Sequence, residues 1–352
     1  MITINEGCGV RSELRDSCGR VLDYLRVSIT DRCNLRCIYC MPPEGVEWKP
    51  HDNILTFEQI LRIVKIFSGL GVRKIRITGG EPLLRRGASS FFKELKLIPG
   101  IEKTALTTNG LLLGTYLDKA GEDSLPDSIN ISLDALDNEN CKFITRSVNA
   151  KPSAILALID RLLEKLITVK INCVPMRSVN ENEILSIAAL AKDKNIIVRF
   201  IELMPFGIPS GDADSCLQFV PGDEAAQMIE KAFGVLVPFN GIFASEEVRS
   251  KGPAVYYSLS DFKGKIGFIN AVTHGFCGTC NRLRLTSEGF LKLCLSSTIG
   301  LDLKELIKTG ADDIEISDAI AEAVLKKPRF HTLSKIYGEQ KQHQEGMSKI
   351  GG

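Results

Sequence analysis

The chain has 352 residues, 44% hydrophobic and 25% charged, with a formal net charge of +1. That length suits one large domain or two modest ones, and the composition builds a core without disulfides. The near-zero charge excludes a global field that would draw the protein to nucleic acid or a membrane, so any anionic ligand must be held by cations gathered locally. No apolar stretch is long enough to cross a bilayer, and the opening residues mix Glu6, Glu13, Asp16 and Asp23 with arginines, which argues against a signal or transit segment. The 11 cysteines are an odd number in a long chain, which points to free thiols in a reducing, cytoplasmic compartment.

The first strand-like run, 25–30, leads directly into Cys33, Cys37 and Cys40, spaced C-x3-C-x2-C. A structural zinc site would need a fourth Cys or His close by, and His51 lies beyond a Pro-Pro turn with no paired histidine. An iron–sulfur cube normally takes four cysteines, so three leave one iron open to a small molecule. Further β-branched runs follow near 74–78, 103–107, 128–133, 169–174 and 197–202, alternating with amphipathic stretches such as Ile155, Leu158, Ile159 and Leu162 at helical spacing after Pro152, and 181–191. Strands alternating with helices predict parallel β/α units, and six units predict a partial barrel. Arg76 and Thr78 alternate with Ile75 and Ile77, Asn130, Ser132 and Asp134 with Ile129, Ile131 and Leu133, and Lys170 and Asn172 with Val169, Ile171 and Cys173. Such polar faces are either solvated or line an open lumen; helices cover parallel sheets from outside, which favours the lumen.

After about residue 205 the rhythm breaks. Short strands are expected near 254–259, 265–269, 283–286 and 290–294, then helices near 301–308 and 314–327, read as a smaller α+β region packed across the barrel. The expected division is 1–235, 236–335 and a polar tail 336–352. Cys277, Cys280 and Cys294 form a second set of three. It is either a zinc site with His274 as fourth ligand or a second iron–sulfur cluster with an open iron, the better fit because there is no second C-x2-C pair. Arg282 and Arg284 share one face of a strand, where two guanidiniums suit a phosphate-bearing substrate; without the cysteines a solvated edge strand would explain them. Cys8, Cys18, Cys141, Cys173 and Cys216 read as inert structural thiols, and His51, His331 and His343 carry no catalytic mark.

The first triplet is the signature of the radical S-adenosylmethionine (SAM) superfamily. Across nearly the whole length, from 23–28 through Thr30-Asp31-Arg32-Cys33, Thr78-Gly79-Gly80-Glu81-Pro82, Thr107-Thr108-Asn109-Gly110, 130–134, 199–205, the second triplet and the terminal Gly351-Gly352, the chain resembles the GTP 3′,8-cyclase family, which opens molybdenum cofactor biosynthesis. It departs in having Gly87 where Asp is common, Cys18 where an aromatic is usual, Arg146 without a preceding Thr-Gly, and no glycine in the helix before Val169. The resemblance implies a 4Fe-4S cluster on Cys33, Cys37 and Cys40 whose open iron binds SAM, with Tyr39, Arg76, Gly79, Gly80, Glu81, Thr107, Ser132 and Met204 at SAM-contacting positions and Glu81 accepting from the SAM ammonium. It implies a second 4Fe-4S cluster on Cys277, Cys280 and Cys294 that binds the guanine of GTP, with Arg26, Lys74, Lys170, Arg199, Arg282 and Arg284 around the nucleotide and Gly351 and Gly352 reaching into the site. The implied reaction is hydrogen abstraction from ribose C3′ and closure onto C8 of guanine, giving 3′,8-cyclo-7,8-dihydro-GTP. Implied partners are a low-potential electron donor such as flavodoxin or ferredoxin and a downstream cyclic pyranopterin monophosphate synthase; no nucleic acid or membrane is implied, and homodimerisation is left open. A peptide-modifying radical SAM enzyme is the alternative, though such enzymes commonly carry more C-terminal cysteines. A plain iron–sulfur carrier or zinc module would have no need of Gly79-Gly80-Glu81-Pro82.

Overall fold

Alternating side chains set the architecture. The computed structural model describes residues 13–206, 218–239, 241, 252–331 and 333. Six strands come first: β1 (Tyr24–Ser28), β2 (Lys74–Thr78), β3 (Lys103–Thr108), β4 (Ser128–Ser132), β5 (Thr168–Cys173) and β6 (Ile197–Ile201). Each pairs in parallel with the next, as six β/α units predict. The crossovers carry α1 (Phe57–Gly69), α2 (Ala88–Lys96), α3 (Leu113–Lys119), α4 (Asn138–Thr145), α5 (Pro152–Glu164) and α6 (Ile184–Asp193). Helix α1 starts at a capping box in which Thr56 Oγ1 accepts from the Gln59 N–H and Gln59 Oε1 from the Thr56 N–H, satisfying two otherwise orphaned donors. Helix α5 opens on Pro152, whose missing N–H costs nothing in the first turn.

One face of every strand feeds the core beneath the helices. Leu25, Val27, Ile75, Ile77, Ile129, Ile131, Val169 and Ile171 are wholly buried and cluster with Ile60, Ile63 and Phe67 of α1 and Ile159 and Leu162 of α5. Each such side chain contributes about 1.5–3 kcal/mol. A slip of one residue would drive Arg26, Arg76 or Lys170 into that apolar layer, so the register is strongly fixed.

The second half comprises α7 (Gly222–Phe233), β7 (Val237–Pro238), β8 (Val255–Ser258), β9 (Lys265–Ile269), β10 (Arg282–Leu285), β11 (Phe290–Lys292), β12 (Gly300–Asp302), α8 (Leu303–Lys308) and α9 (Asp313–Val324). Rather than crossing the barrel as a separate layer, its strands extend the same sheet at both edges. Strand β9 joins β6 and β10 joins β1, both in parallel, and the order is β12-β11-β10-β1-β2-β3-β4-β5-β6-β9-β8-β7. Leu283 and Leu285 are buried in the same core as Leu25 and Val27, so β10 continues the two-faced pattern of β1.

All described cysteines are free, and Cys141 and Cys173 are buried as expected. Cys18 is exposed instead, because it lies in the turn closed by the Gly19 N–H on Asp16 O. Cys8, Cys216 and His343 lie outside the described residues.

Candidate active site

The loop after β1 carries Cys33, Cys37 and Cys40. From outside it is braced by the end of α4: the Arg36 and Ile38 N–H groups donate to Thr145 O and Ile144 O at 3.1 and 2.9 Å. Arg146, in a left-handed conformation at φ 51°, caps that helix and donates to Arg36 O and Met41 O. From inside it is met by the turn after β2. The Gly80 N–H donates to Thr30 O at 2.8 Å, and a Cβ on Gly80 would stand 2.3 Å from Arg32 O, a space only glycine leaves. Burial raises the thiols of Cys33 and Cys37, and for Cys37 the neighbouring Cys40, Asp134 and Cys33 add to it.

Glu81 has a different place from the one expected of it. It is fully buried and does not line the cavity; its carboxylate accepts from the Leu83 N–H, the Thr108 hydroxyl and the Asn109 N–H. It ties the β2 turn to the end of β3 from behind. Asn109, held this way, brings Nδ2 to 3.9 Å from Cys33 Sγ. Burial pushes the Glu81 carboxyl up to about 7 despite these donors.

Above the inner face of the sheet lies one cavity of about 2400 Å³ of empty space, mouth included. Both cysteine triplets line it, at opposite ends of the chain's described length. Tyr39, Arg76, Gly79, Gly80, Thr107, Ser132 and Met204 all line it, as do Arg26, Lys74, Arg199, Arg282 and Arg284. The polar strand faces therefore do face a lumen. Lys170 sits on the same face as Asn172 but is buried below the cavity floor, 1% exposed, and is not among its walls. Gly351 and Gly352 lie outside the described residues.

Register assembles the cations into two rows. Arg284, Arg26 and Arg76 are partners across β10, β1 and β2; one pleat away, so are Arg282, Tyr24 and Lys74. Neighbouring strands stand about 4.8 Å apart, so five cations crowd a patch a few residues wide in a chain of net charge +1. The crowding is felt by the groups themselves. Burial and Arg282 lower Arg284 to about 10, and burial followed by Arg284 depresses Arg26. Burial would raise the Tyr24 phenol, but Arg76, Lys74 and Arg26 outweigh it and bring it down to about 7. Arg76 donates to the Tyr24 oxygen, and Arg199 Nε to Asn172 Oδ1 at 2.9 Å. A polyanion would relieve this repulsion.

The second triplet is built where β10 and β11 meet the end of α9. Burial raises the Cys277 thiol; at Cys280 burial is outweighed by Arg282 and Lys327, which bring it down to about 7. Lys327, 4% exposed, donates to Arg282 O at 2.9 Å and to Leu293 O. His274 turns away to an exposed pair with Asp223 at 2.9 Å and does not line the cavity, so it is no fourth ligand. Three thiols to a set, lining an open cavity with His274 not beside them as a fourth ligand, suit a cube with one free iron at both triplets.

Tyr24, Lys327 and His331 line the site beyond the residues expected there from the sequence. Tyr24 had a signal in its alternation with Leu25 beside Arg26. Lys327 and His331 had none, since they reach the site only through the packing of the chain after α9.

The family model of the radical SAM superfamily matches residues 27–191, and that of Molybdenum Cofactor Synthesis C matches residues 196–333. Among the relatives, GTP 3′,8-cyclase of Petrotoga mobilis is 42% identical over 96% of this chain and 99% of its own length. The GTP 3′,8-cyclases of Pelotomaculum thermopropionicum and Clostridium perfringens are 41% and 39% identical, each over 96% of this chain and 100% of their own. Among solved structures, SuiB of Streptococcus suis bound to S-adenosylmethionine aligns at a TM-score of 0.57 and 14% identity, covering 94% of this chain and 78% of that one, a likeness of fold.

Proposed function

Because the chain belongs to the GTP 3′,8-cyclase family of radical SAM enzymes, we propose which of its residues carry out that family's reaction. The enzyme converts GTP to 3′,8-cyclo-7,8-dihydro-GTP, the first step of molybdenum cofactor biosynthesis, using SAM and a 4Fe-4S cluster. Bound together, cluster and SAM supply a carbon radical that abstracts hydrogen. Cys33, Cys37 and Cys40 hold that cluster. Gly79 and Gly80 bring backbone close to the methionine end of SAM, and Tyr39, Thr107, Ser132 and Met204 bound the rest. Cys277, Cys280 and Cys294 hold a second 4Fe-4S cluster at the far side, where the guanine docks.

The observation that carries this reading is the double row of cations between the two triplets. Arg26, Lys74, Arg282 and Arg284 neutralise a triphosphate and fix the ribose between the radical source and the second cluster, with Arg199 closing the side and Arg76, next to Arg26 in the same row, serving SAM. Enclosing walls keep water from the reacting carbons. Lys170, beneath the floor, acts through the residues above it rather than on the nucleotide. Gly351 and Gly352 are assigned to the site by resemblance alone. The electron donor is a low-potential carrier such as flavodoxin or ferredoxin, and the product passes to a cyclic pyranopterin monophosphate synthase. No helix among the described residues is long and apolar enough to cross a membrane, and we place the enzyme in the cytoplasm. Titration of the anaerobically reconstituted protein with GTP and, separately, SAM tests the rows. Losing one charged hydrogen-bond donor costs about 1.5–3 kcal/mol, roughly a tenfold to hundredfold weaker GTP for Arg284→Ala, with SAM affinity unchanged. Unchanged GTP affinity would remove Arg284 from the nucleotide site.

A further inference from the structure

The chain after α9 does more than end the domain. Lys327 holds the carbonyls of Arg282 and Leu293, one residue from the nearer of the second-triplet cysteines at Leu293 and two at Arg282. Arg20, 9% exposed and paired with Asp16 at 2.5 Å, donates to Cys277 O at 2.8 Å and, on the other side, to Pro328 O and Arg329 O. Two buried cations thus lash residues 327–329 to the frame of the second triplet. At the end of this stretch the His331 backbone N–H donates to Cys277 Sγ at 3.3 Å.

His331 is also one of the residues that line the cavity. Its Nδ1 accepts from the Leu333 N–H at 3.3 Å, which leaves the proton of the neutral ring on Nε2. Nε2 is buried and has no hydrogen-bond partner among the described residues. It faces Gly275, where a Cβ would stand 3.2 Å away. A buried N–H without an acceptor costs about 1–3 kcal/mol, and such orphans mark a missing partner. The same residue already touches a thiol of the triplet through its backbone, and the cavity it faces holds the other two.

We propose that residues 327–331 brace the second cluster and that His331 is a positioning residue which donates two hydrogen bonds to cluster sulfur, one from its backbone N–H to Cys277 Sγ and one from its ring Nε2–H. This rests on the reading that Cys277, Cys280 and Cys294 hold a 4Fe-4S cluster. Hydrogen bonds to cluster sulfur stabilise the reduced form and raise its potential. His331 therefore keeps the second cluster easier to reduce than its three thiolates alone would make it.

The test is a mediator-controlled redox titration of the reconstituted holoenzyme, reading the second cluster from the electron paramagnetic resonance component that GTP perturbs, alongside iron and sulfide content. His331→Phe keeps the ring shape and deletes the donor; His331→Gln restores an N–H. The expected result is iron for two clusters in both variants, a fall in the second cluster's midpoint in His331→Phe of about a tenfold change in the reduced-to-oxidised ratio, about 59 mV for one electron, partial return in His331→Gln, and no movement of the first cluster. Loss of the second cluster in His331→Phe but not in His331→Gln would equally support the donor. An unmoved midpoint with full iron content, weakened GTP binding without a change in potential, or the same shift in both clusters would overturn the proposal. Wild-type protein that holds iron for one cluster alone would overturn it together with the second-cluster reading, a failure distinct from the others.

Discussion

Glu81 shows how a motif residue can serve the site without entering it. Its carboxyl lies wholly buried behind the Gly79-Gly80 turn and is held at about 7, above its ordinary 4.5. A group whose folded value is raised contributes stability that is complete below the unfolded value and is lost as pH rises through the folded one. Between pH 5 and 8 the protein should therefore lose stability on the order of 3 kcal/mol from this group, seen as a falling midpoint in thermal melts, and Glu81→Gln should flatten that slope. The slope is the readout, because the amide also alters the hydrogen bonds to Asn109; an equal slope in both proteins would mean the carboxyl stays ionised throughout. The cysteines and arginines were legible as site residues because their chemistry is written in local spacing. His331 was not, because a lone histidine near a polar tail acquires its meaning only from the thiol the fold sets beside it.

Strands and turns were legible where one residue type faces in and another faces out. The alternation in β2, β4 and β5 marked the strands to within a residue or so, since a polar lumen and an apolar helix layer impose opposite demands on neighbouring side chains. One departure from the family pattern can be read at this scale. Leu166 follows α5 with φ 57° and is 93% exposed, in the left-handed position that glycine usually takes after a helix. Leu166→Gly relieves about 1–2 kcal/mol of backbone strain and returns roughly half as entropy. It should raise the thermal midpoint by about 2 °C; a lower midpoint would show that Leu166 makes a contact worth keeping. The reverse change at the β2 turn should be severe. Gly80→Ala places its methyl 2.3 Å from the Arg32 carbonyl, and overpacking against backbone costs about 1–3 kcal/mol. The first-cluster loop should shift and bind less iron on reconstitution, while the second triplet fills normally. Full iron content at both sites would mean the turn has room that the structure denies it.

Over the whole molecule, six β/α units were legible and the placement of the last strands was not. Strand β10 pairs with β1 across more than two hundred residues of chain, and no local pattern announces so distant a partner. That pairing is what makes the site: it sets Arg282 and Arg284 beside Tyr24 and Arg26, and it turns the second triplet toward the first across one cavity. On the function proposed above, both triplets and the cation rows act on a single molecule of GTP. Anaerobic protein, reconstituted with iron and sulfide and given SAM, GTP and a strong reductant, should yield 5′-deoxyadenosine and a cyclised GTP derivative together by mass spectrometry, and neither when Cys33 is replaced by alanine. Formation of 5′-deoxyadenosine while GTP remains unchanged, or cyclised product from the Cys33→Ala protein, would contradict it.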